Sequence, residues 1–578
     1  MRVRLTNQKL RKEANVIFTI MMSLMLMHGN IVIAENYLIS SASELSNLNS
    51  SLHPGDTVFM KAGQWIDQEL VFEANGTSAK PIVLAAESKN TVILTGTSHL
   101  NIAGEYLVVD GLTFENGYTD GSAVVEFRRN SSNLANHCRL VNTSILNYNP
   151  SDKDEDYKWV SVYGAHNRVD HCHFEGKQHS GTTLVVWLNG EPNYTQIDHN
   201  YFGARPDLGY NGGETIRIGT STNSMQESRA IVEFNLFEEC DGEIEIISNK
   251  SCFNIYRYNT FRDNNGCLTI RHGNDCEVYG NFFLGENKSS GGVRIIGERH
   301  KVYNNYFEGL KGDGYRSAIC MMNGVPNSPL NRYFQVIEAE VAFNTIVNCK
   351  VPFTIGAGKD SEKTLAPKDC KVANNIMDDI YDEVIELDDT PIDMLWEGNV
   401  ANADADDVVI KEGISFFDPE LINQDGAFRL SSGSDAIDAA EGTYDYVQTD
   451  IDNEDRDGSK DVGCDEYLSN TDYSRALVKD DVGPYTGDEE KETSITKLIE
   501  VNDMVKLVVI NNSIKLKVMD PKYLPIQYMM YDITGRTIMA GDLYEEDEVF
   551  NLNKLSCYLL SFRSLKGYVQ NDKIILSQ

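Results

Sequence analysis

The chain has 578 residues, so two or more units are the default, although a repetitive β fold can run longer as one. Hydrophobic residues make up 41% of it, enough for a sizeable core, which excludes a disordered chain. Lys and Arg total 51 against 87 Asp and Glu, a formal charge of −36. That argues against a nucleic-acid binder, and any polyanion would have to meet a local basic groove set in an acidic surface.

The first segment reads as an export signal over residues 1–34. Arg2, Arg4, Lys9, Arg11 and Lys12 form a basic region, an apolar run from Val16 to Met27 follows, and Val32-Ile33-Ala34 places small residues at a cleavage spacing. The run is shorter than the roughly 20 residues of a spanning helix, so a cleaved leader is expected rather than an anchor. The destination is the periplasm, the cell surface or the medium. The 11 cysteines include no CxxC pair, so most are expected to be small core residues rather than zinc ligands or a disulfide framework.

A short motif then recurs: Asn, one residue, and an aromatic or aliphatic. It appears loosely at Asn142, then as Asn200-Tyr201-Phe202, Asn235-Leu236-Phe237, Asn259-Thr260-Phe261, Asn281-Phe282-Phe283, Asn305-Tyr306-Phe307, Asn344-Thr345-Ile346 and Asn375-Ile376-Met377. Cys172-His173-Phe174 fills the same slot with Cys for Asn. Short alternating stretches such as Ile216/Ile218, Leu268/Ile270 and Val293/Ile295 accompany it, and no helical periodicity does. A period near 22–24 residues predicts an all-β fold, a right-handed parallel β-helix with Asn stacked as a ladder. A β-propeller, with blades of about 40 residues, fits less well.

The solenoid domain is expected over 35–469, with 434–466 as a closing segment. Within it, Asn453-x-Asp455-x-Asp457-Gly458 imitates the start of an EF-hand loop, but Cys464 stands where the bidentate Glu belongs, so it reads as an acidic turn. Residues 470–493 read as a polar linker and 494–578 as a small β-sandwich. In the latter, Tyr531-Asp532-Ile533-Thr534-Gly535-Arg536 and Leu552-Asn553-Lys554-Leu555 resemble the C-terminal sorting domains of type nine secretion.

The chemistry concentrates between 211 and 294. Residues i and i+2 of a strand share a face, so Gly242-Glu243-Ile244-Glu245-Ile246 sends Ile244 and Ile246 inward and both carboxylates outward. Twin carboxylates on one face suit a hard cation such as calcium, although a solvated acidic strand is the plain alternative. Aligning glycines puts Leu268 over Ile244 and Ile270 over Ile246. One face then stacks Asn211, Arg217, Glu243, Glu245, Lys250, Arg271, His272 and Arg294 within a few coils spaced about 4.8 Å apart. A cation site beside Lys and Arg suits β-elimination from a uronic-acid polysaccharide. The metal offsets the carboxylate that makes C5–H a weak acid, a lysine abstracts the proton, and the arginine stabilises the leaving oxygen.

Three segments carry a resemblance: Asn211-Gly-Gly-Glu-Thr-Ile-Arg-Ile-Gly219, Asp241-Gly-Glu-Ile-Glu-Ile-Ile-Ser-Asn-Lys-Ser251 and Leu268-Thr-Ile-Arg-His-Gly273. Together with Trp159–Gly164 and Asn167–Lys177, they resemble polysaccharide lyase family six, the calcium-dependent parallel β-helices that include alginate lyases and chondroitinase B. The resemblance implies Lys250 as base and Arg271 as acid or leaving-group stabiliser. It implies Glu243 and Glu245 as Ca²⁺ ligands with Asn211 third, or Glu214 in its place, and His272 and Arg294 as substrate contacts. The Asn211–Arg217 segment looks more like the alginate lyases, so alginate is the expected polymer. The alternatives are a lyase acting on dermatan sulfate and a non-catalytic glycan-binding β-helix. The inserts at 311–335 and 350–370 are candidate groove walls.

Overall fold

The computed structural model describes residues 34–486, apart from 287, 457 and 469–472, together with seven strands between 505 and 575. Three fourteen-stranded sheets account for most of the first unit. Within the solenoid each coil adds one strand to each sheet, and consecutive coils pair in parallel, as in Ile216–Gly219 with Glu245–Lys250 and Ile231–Glu233 with Ile255–Arg257. This is the expected parallel β-helix. Strands of two to seven residues suffice because their backbone groups pair with the coils above and below rather than along their own strand.

The core explains the repeat. Asn200, Asn235, Asn259, Asn281, Asn305, Asn344, Asn375 and Asn399 lie in register, each fully buried. The amide nitrogen of Asn259 donates to Asn281 Oδ1 at 3.0 Å, and Asn281 donates to Asn305 Oδ1 at 2.9 Å. Each side chain also donates to backbone carbonyls, as Asn281 does to Tyr256 and Tyr279 at 2.9 and 3.0 Å. Cys172 takes the next slot, its backbone N–H donating to Asn200 Oδ1 at 2.9 Å. The slot before it holds buried Thr143, not Asn142. Two residues beyond the ladder, Phe174, Phe202, Phe237, Phe261, Phe283 and Phe307 stack with centroids 4.7–5.2 Å apart. The aromatic third position of the motif is thus the core face of the same turn.

Helix α1 (Ala42–Leu48) covers the N-terminal end, with Leu45 buried and Ser41 capping by accepting from the Glu44 N–H. The closing segment folds back along the coils rather than extending the solenoid. Cys464 N–H donates to Thr345 Oγ1 at 3.0 Å, and Arg456 donates to Asn304 Oδ1 at 3.0 Å. Buried Arg429 pairs with Asp452 and Asp465 at 2.9 and 3.2 Å. The residues that flank the acidic turn are therefore braced by an arginine of this chain. All ten described cysteines are buried and free.

The expected linker is corrected in part. The first compact unit runs through Pro484. Residues 473–484 lie against the third sheet: Leu477 N–H donates to Thr260 Oγ1 at 2.8 Å, Gly483 N–H donates to the His199 carbonyl at 2.8 Å, and Val482 packs with Tyr201 and Leu236. Polar composition suggested a tether, but Leu477 and Val482 give this strap an apolar face. The second unit, Tyr485–Gln578, has antiparallel sheets of three and four strands. The proposed export signal lies outside the described residues, apart from Ala34. Among the described residues no helix is long and apolar enough to cross a membrane.

Removing one rung orphans buried groups on both neighbouring coils. Asn281→Ala is expected to destabilise the first unit by about 2–4 kcal/mol in urea denaturation, against less than about 0.5 kcal/mol for exposed Asn265→Ala.

Candidate functional site

The site lies on the second sheet, across β1 (Ile216–Gly219), β2 (Glu245–Lys250), β3 (Cys267–His272), β4 (Val293–Ile295) and β5 (Ile319–Met322). Ile216, Ile218, Ile247, Leu268, Ile270, Val293 and Ile295 fill the core behind it. The intervening outward positions stack as Arg217, Ser248, Thr269, Arg294 and Cys320, one per coil.

The register between β2 and β3 differs from the glycine alignment. Leu268 sits opposite Ile247 and Ile270 opposite Asn249, rather than Ile244 and Ile246. Two irregularities cause this. Glu245 faces Cys267 while Ile247 faces Leu268, which leaves Ile246 as an extra residue on β2. Asn249 faces Ile270 while Lys250 faces His272, which leaves Arg271 extra on β3. A bulge re-aims the side chains beside it. Here one bulge detaches Glu245 from strict alternation and the other detaches Arg271. Ile244, expected in the core, is only half-buried and precedes the strand.

Glu214, Glu243 and Glu245 converge, each offering a carboxylate oxygen, and these oxygens lie within 4.8 Å of one another. Glu214 sits just before β1, and its Oε1 lies 3.6 Å from Lys250 Nζ and 3.9 Å from Arg217. Its Oε2 accepts from Thr182 at 3.2 Å. Glu245 Oε1 accepts from Arg294 at 2.5 Å and lies 3.6 Å from Arg271 Nε, while Ser248 donates to its Oε2 at 2.5 Å. Glu243 accepts only a long bond from Gly212 N–H, at 3.4 Å, and its Oε1 is buried without a hydrogen-bond partner. Burial, and then the charges of Glu214 and Glu245, push the Glu243 carboxyl up to about 8. Three acidic oxygens with one left unsatisfied form a donor set that fits a hard divalent cation.

Lys250, Arg271, Glu243 and Glu245 are therefore gathered on one face. Asn211 lies exposed in the turn before β1, next to Gly212, and Glu214 completes the acidic trio. His272, the register partner of Lys250, is 1% exposed, with neither ring nitrogen hydrogen-bonded. Burial, with Arg271 and Lys250 nearby, pushes its pKa down to about 3, so the ring is neutral. Arg294 is 5% exposed and closes onto Glu245. Burial by itself lowers its pKa, and Glu245 carries it above the usual value.

Two further residues hold the frame without an obvious sequence signal. Buried Asn249 donates to the carbonyls of Ser251 and His272 at 2.9 and 2.7 Å, which ties the end of β2 to β3 beside Lys250. Buried Arg205 donates to the carbonyls of Glu214, His179 and Gly181 at 3.0, 3.0 and 2.8 Å, fixing the approach to β1.

A family profile described as Chondroitinase B matches residues 39–410. Among solved structures, the PL6 family alginate lyase AlyGC is 40% identical, covering 69% of this chain and 55% of its own, with a TM-score of 0.67. This chain thus spans about half the length of that relative. A mannuronic acid specific family 6 lyase from human gut microbiota is 32% identical, covering 66% and 91%, with a TM-score of 0.60. The PL6 family polysaccharide lyase Pedsa3628 from Pseudopedobacter saltans is 26% identical, covering 65% and 96%, with a TM-score of 0.55. No curated protein matches the chain.

The Glu243 carboxyl has a folded pKa raised above its unfolded one. The stability this contributes is complete below about pH 4 and is lost as pH rises through about 8. Metal-stripped protein should show a thermal midpoint that falls between about pH 5 and 8, and Glu243→Gln should flatten that slope.

Proposed function

The chain belongs to the chondroitinase B family, polysaccharide lyase family six, and we propose that it is an alginate lyase that cleaves the 1,4-linkage by β-elimination with Ca²⁺ as cofactor. The observation that carries the proposal is the placement of Lys250 and Arg271 against one trio of carboxylates, on adjacent strands of one sheet.

The C5 proton of a uronate is weakly acidic because the neighbouring carboxylate is already charged. Glu243, Glu245 and either Asn211 or Glu214 would hold Ca²⁺, which would supply the charge that neutralises that carboxylate. Lys250 Nζ takes the C5 proton. The freed pair becomes the C4–C5 double bond, and the C4–O4 bond breaks. The Arg271 guanidinium, whose pKa burial lowers, faces the departing oxygen and stabilises its negative charge, directly or through a water that protonates it. The product carries an unsaturated, non-reducing end. Neutral His272, buried beside Lys250, would reach the substrate only on an opening of the residues over it, and Arg217 and Arg294 balance the acidic trio. Arg294 reaches substrate only as its bond to Glu245 loosens.

Alginate is favoured over dermatan sulfate by the relatives at 40% and 32% identity, one an alginate lyase and the other mannuronic acid specific. The second unit and the leader support export, on the motifs quoted above.

With alginate, absorbance near 235 nm should rise. Lys250→Ala should lower kcat/KM by about 10²–10⁴-fold and Arg271→Ala by about 10²–10³-fold. A chelator should abolish the rise and Ca²⁺ should restore it. A rise with dermatan sulfate alone would move the assignment to a chondroitinase, and no rise with any uronate polymer would leave a glycan-binding protein.

A further inference from the structure

One segment bears on the site from far along the sequence. After β5 the chain leaves the second sheet as a loop, 323–336, and returns over β3. The Arg271 guanidinium carbon lies 4.0 Å from the centroid of the Tyr333 ring. Arg271 NH1 donates to the Arg332 carbonyl at 3.1 Å. On its other side, Arg271 Nε is 3.6 Å from Glu245 Oε1, too long for a hydrogen bond.

The loop that carries Tyr333 is anchored at several points. The Tyr333 carbonyl accepts from Val325 N–H at 2.8 Å. Tyr333 and Phe334 pack on buried Ile296, Cys320, Met322 and Ala357. Gly324 and Leu365 exchange backbone hydrogen bonds at 2.8 and 2.9 Å. Arg332 pairs with Glu362 on the next insert, with Nε donating at 2.8 Å. Ser224 donates to the Leu330 carbonyl at 3.2 Å, which ties the loop back to the chain beyond β1.

This geometry matters because Glu245 offers Arg271 a competing partner. It is the extra residue of a bulge, so the strand alone does not set its direction. Glu245 attracts it, and its neighbour Arg294 already sits in full contact with the same oxygen at 2.5 Å. An Arg271 that followed would add a second charged bond to Glu245. That would withdraw the guanidinium from the leaving-oxygen position and tie up a carboxylate needed for the cation. The aromatic face and the Arg332 carbonyl together offset that pull.

We propose that Tyr333 is a positioning residue, whose ring face, with the Arg332 carbonyl, holds the Arg271 guanidinium away from Glu245 and toward the leaving oxygen. The proposal rests on the lyase reading for its kinetic consequence but not for its structural one. The ring carries the role and the hydroxyl does not.

The test uses the full chain with Ca²⁺. Tyr333→Ala should lower kcat on alginate by about ten- to thirtyfold with KM within about threefold, because a cation–π contact of this kind is worth about that factor. Tyr333→Phe should retain most of kcat. The Arg271 Nε–Hε NMR cross-peak, assigned by its loss in Arg271→Lys, should be ring-current shifted in the wild type and in Tyr333→Phe, and should move in Tyr333→Ala. Equal losses in Phe and Ala would place the function in the hydroxyl and overturn the proposal. So would an unchanged Tyr333→Ala, or an effect confined to KM, which would make Tyr333 a sugar contact. If the wild type shows no lyase activity on any uronate, the functional reading fails by itself. The cross-peak then decides the positioning claim, and an Arg271 signal indifferent to Tyr333→Ala overturns it.

Discussion

Everything in the first unit depends on inter-coil registry. A strand of two to seven residues has little stability by itself; it is held because the coil above and the coil below present matching N–H and C=O groups. The Asn ladder sets the third dimension of that match. Each Asn satisfies its own turn through backbone carbonyls and the next turn through its neighbour's side chain, so coils cannot slide without breaking buried bonds on both sides. Insertions are tolerated because they leave the ladder plane: 39 residues separate Asn305 from Asn344, yet their side chains still meet at 3.0 Å.

That rigidity makes a site out of residues scattered over the sequence. Glu214, Glu245 and Arg294 come from three coils, with β3 lying between the strands of Glu245 and Arg294, yet the stacking brings their groups within contact range. Strict alternation would have offered only a fixed row of outward side chains. The two opposed bulges at Ile246 and Arg271 break it locally, and they cancel: the outward row continues through Arg217, Ser248, Thr269 and Arg294. The site therefore gains two freely aimed groups with no lasting offset in the solenoid.

The periodic part of this was legible in the sequence. The Asn slot, the substitution at Cys172 and the grouping of Lys250, Arg271, Glu243 and Glu245 follow from spacing and motif. The register was not legible, because glycine alignment assumes equal strand lengths and bulges are invisible to a period-2 pattern. The Glu243–Ile246 alternation looked like a strand, yet the strand starts at Glu245. Tyr333 was out of reach for another reason. It lies 62 residues beyond Arg271, in an insert without periodicity, and only the folded loop brings the ring over the guanidinium. Residues 473–484 misled through composition, since a few apolar residues among many polar ones suffice to dock a strap.

A chain of net charge −36 is an unpromising partner for the polyuronate proposed as its substrate, and the distribution of charge bears on this. At about 0.15 M salt the Debye length is about 8 Å, so a polymer lying on the second sheet is screened from acidic turns on the other two. On that sheet stand Lys250, Arg217 and Arg271, while Arg332 and Lys363 on the overlying inserts near Tyr333 are paired with Glu362 and Asp360. The trio of carboxylates in their midst would cancel that field if left bare. With a divalent ion in place the same trio would become part of the attraction. Charge on this face would thus be conditional: the acidic groups lie against the chain's own Lys and Arg, and a bound cation would compete with those bases for them.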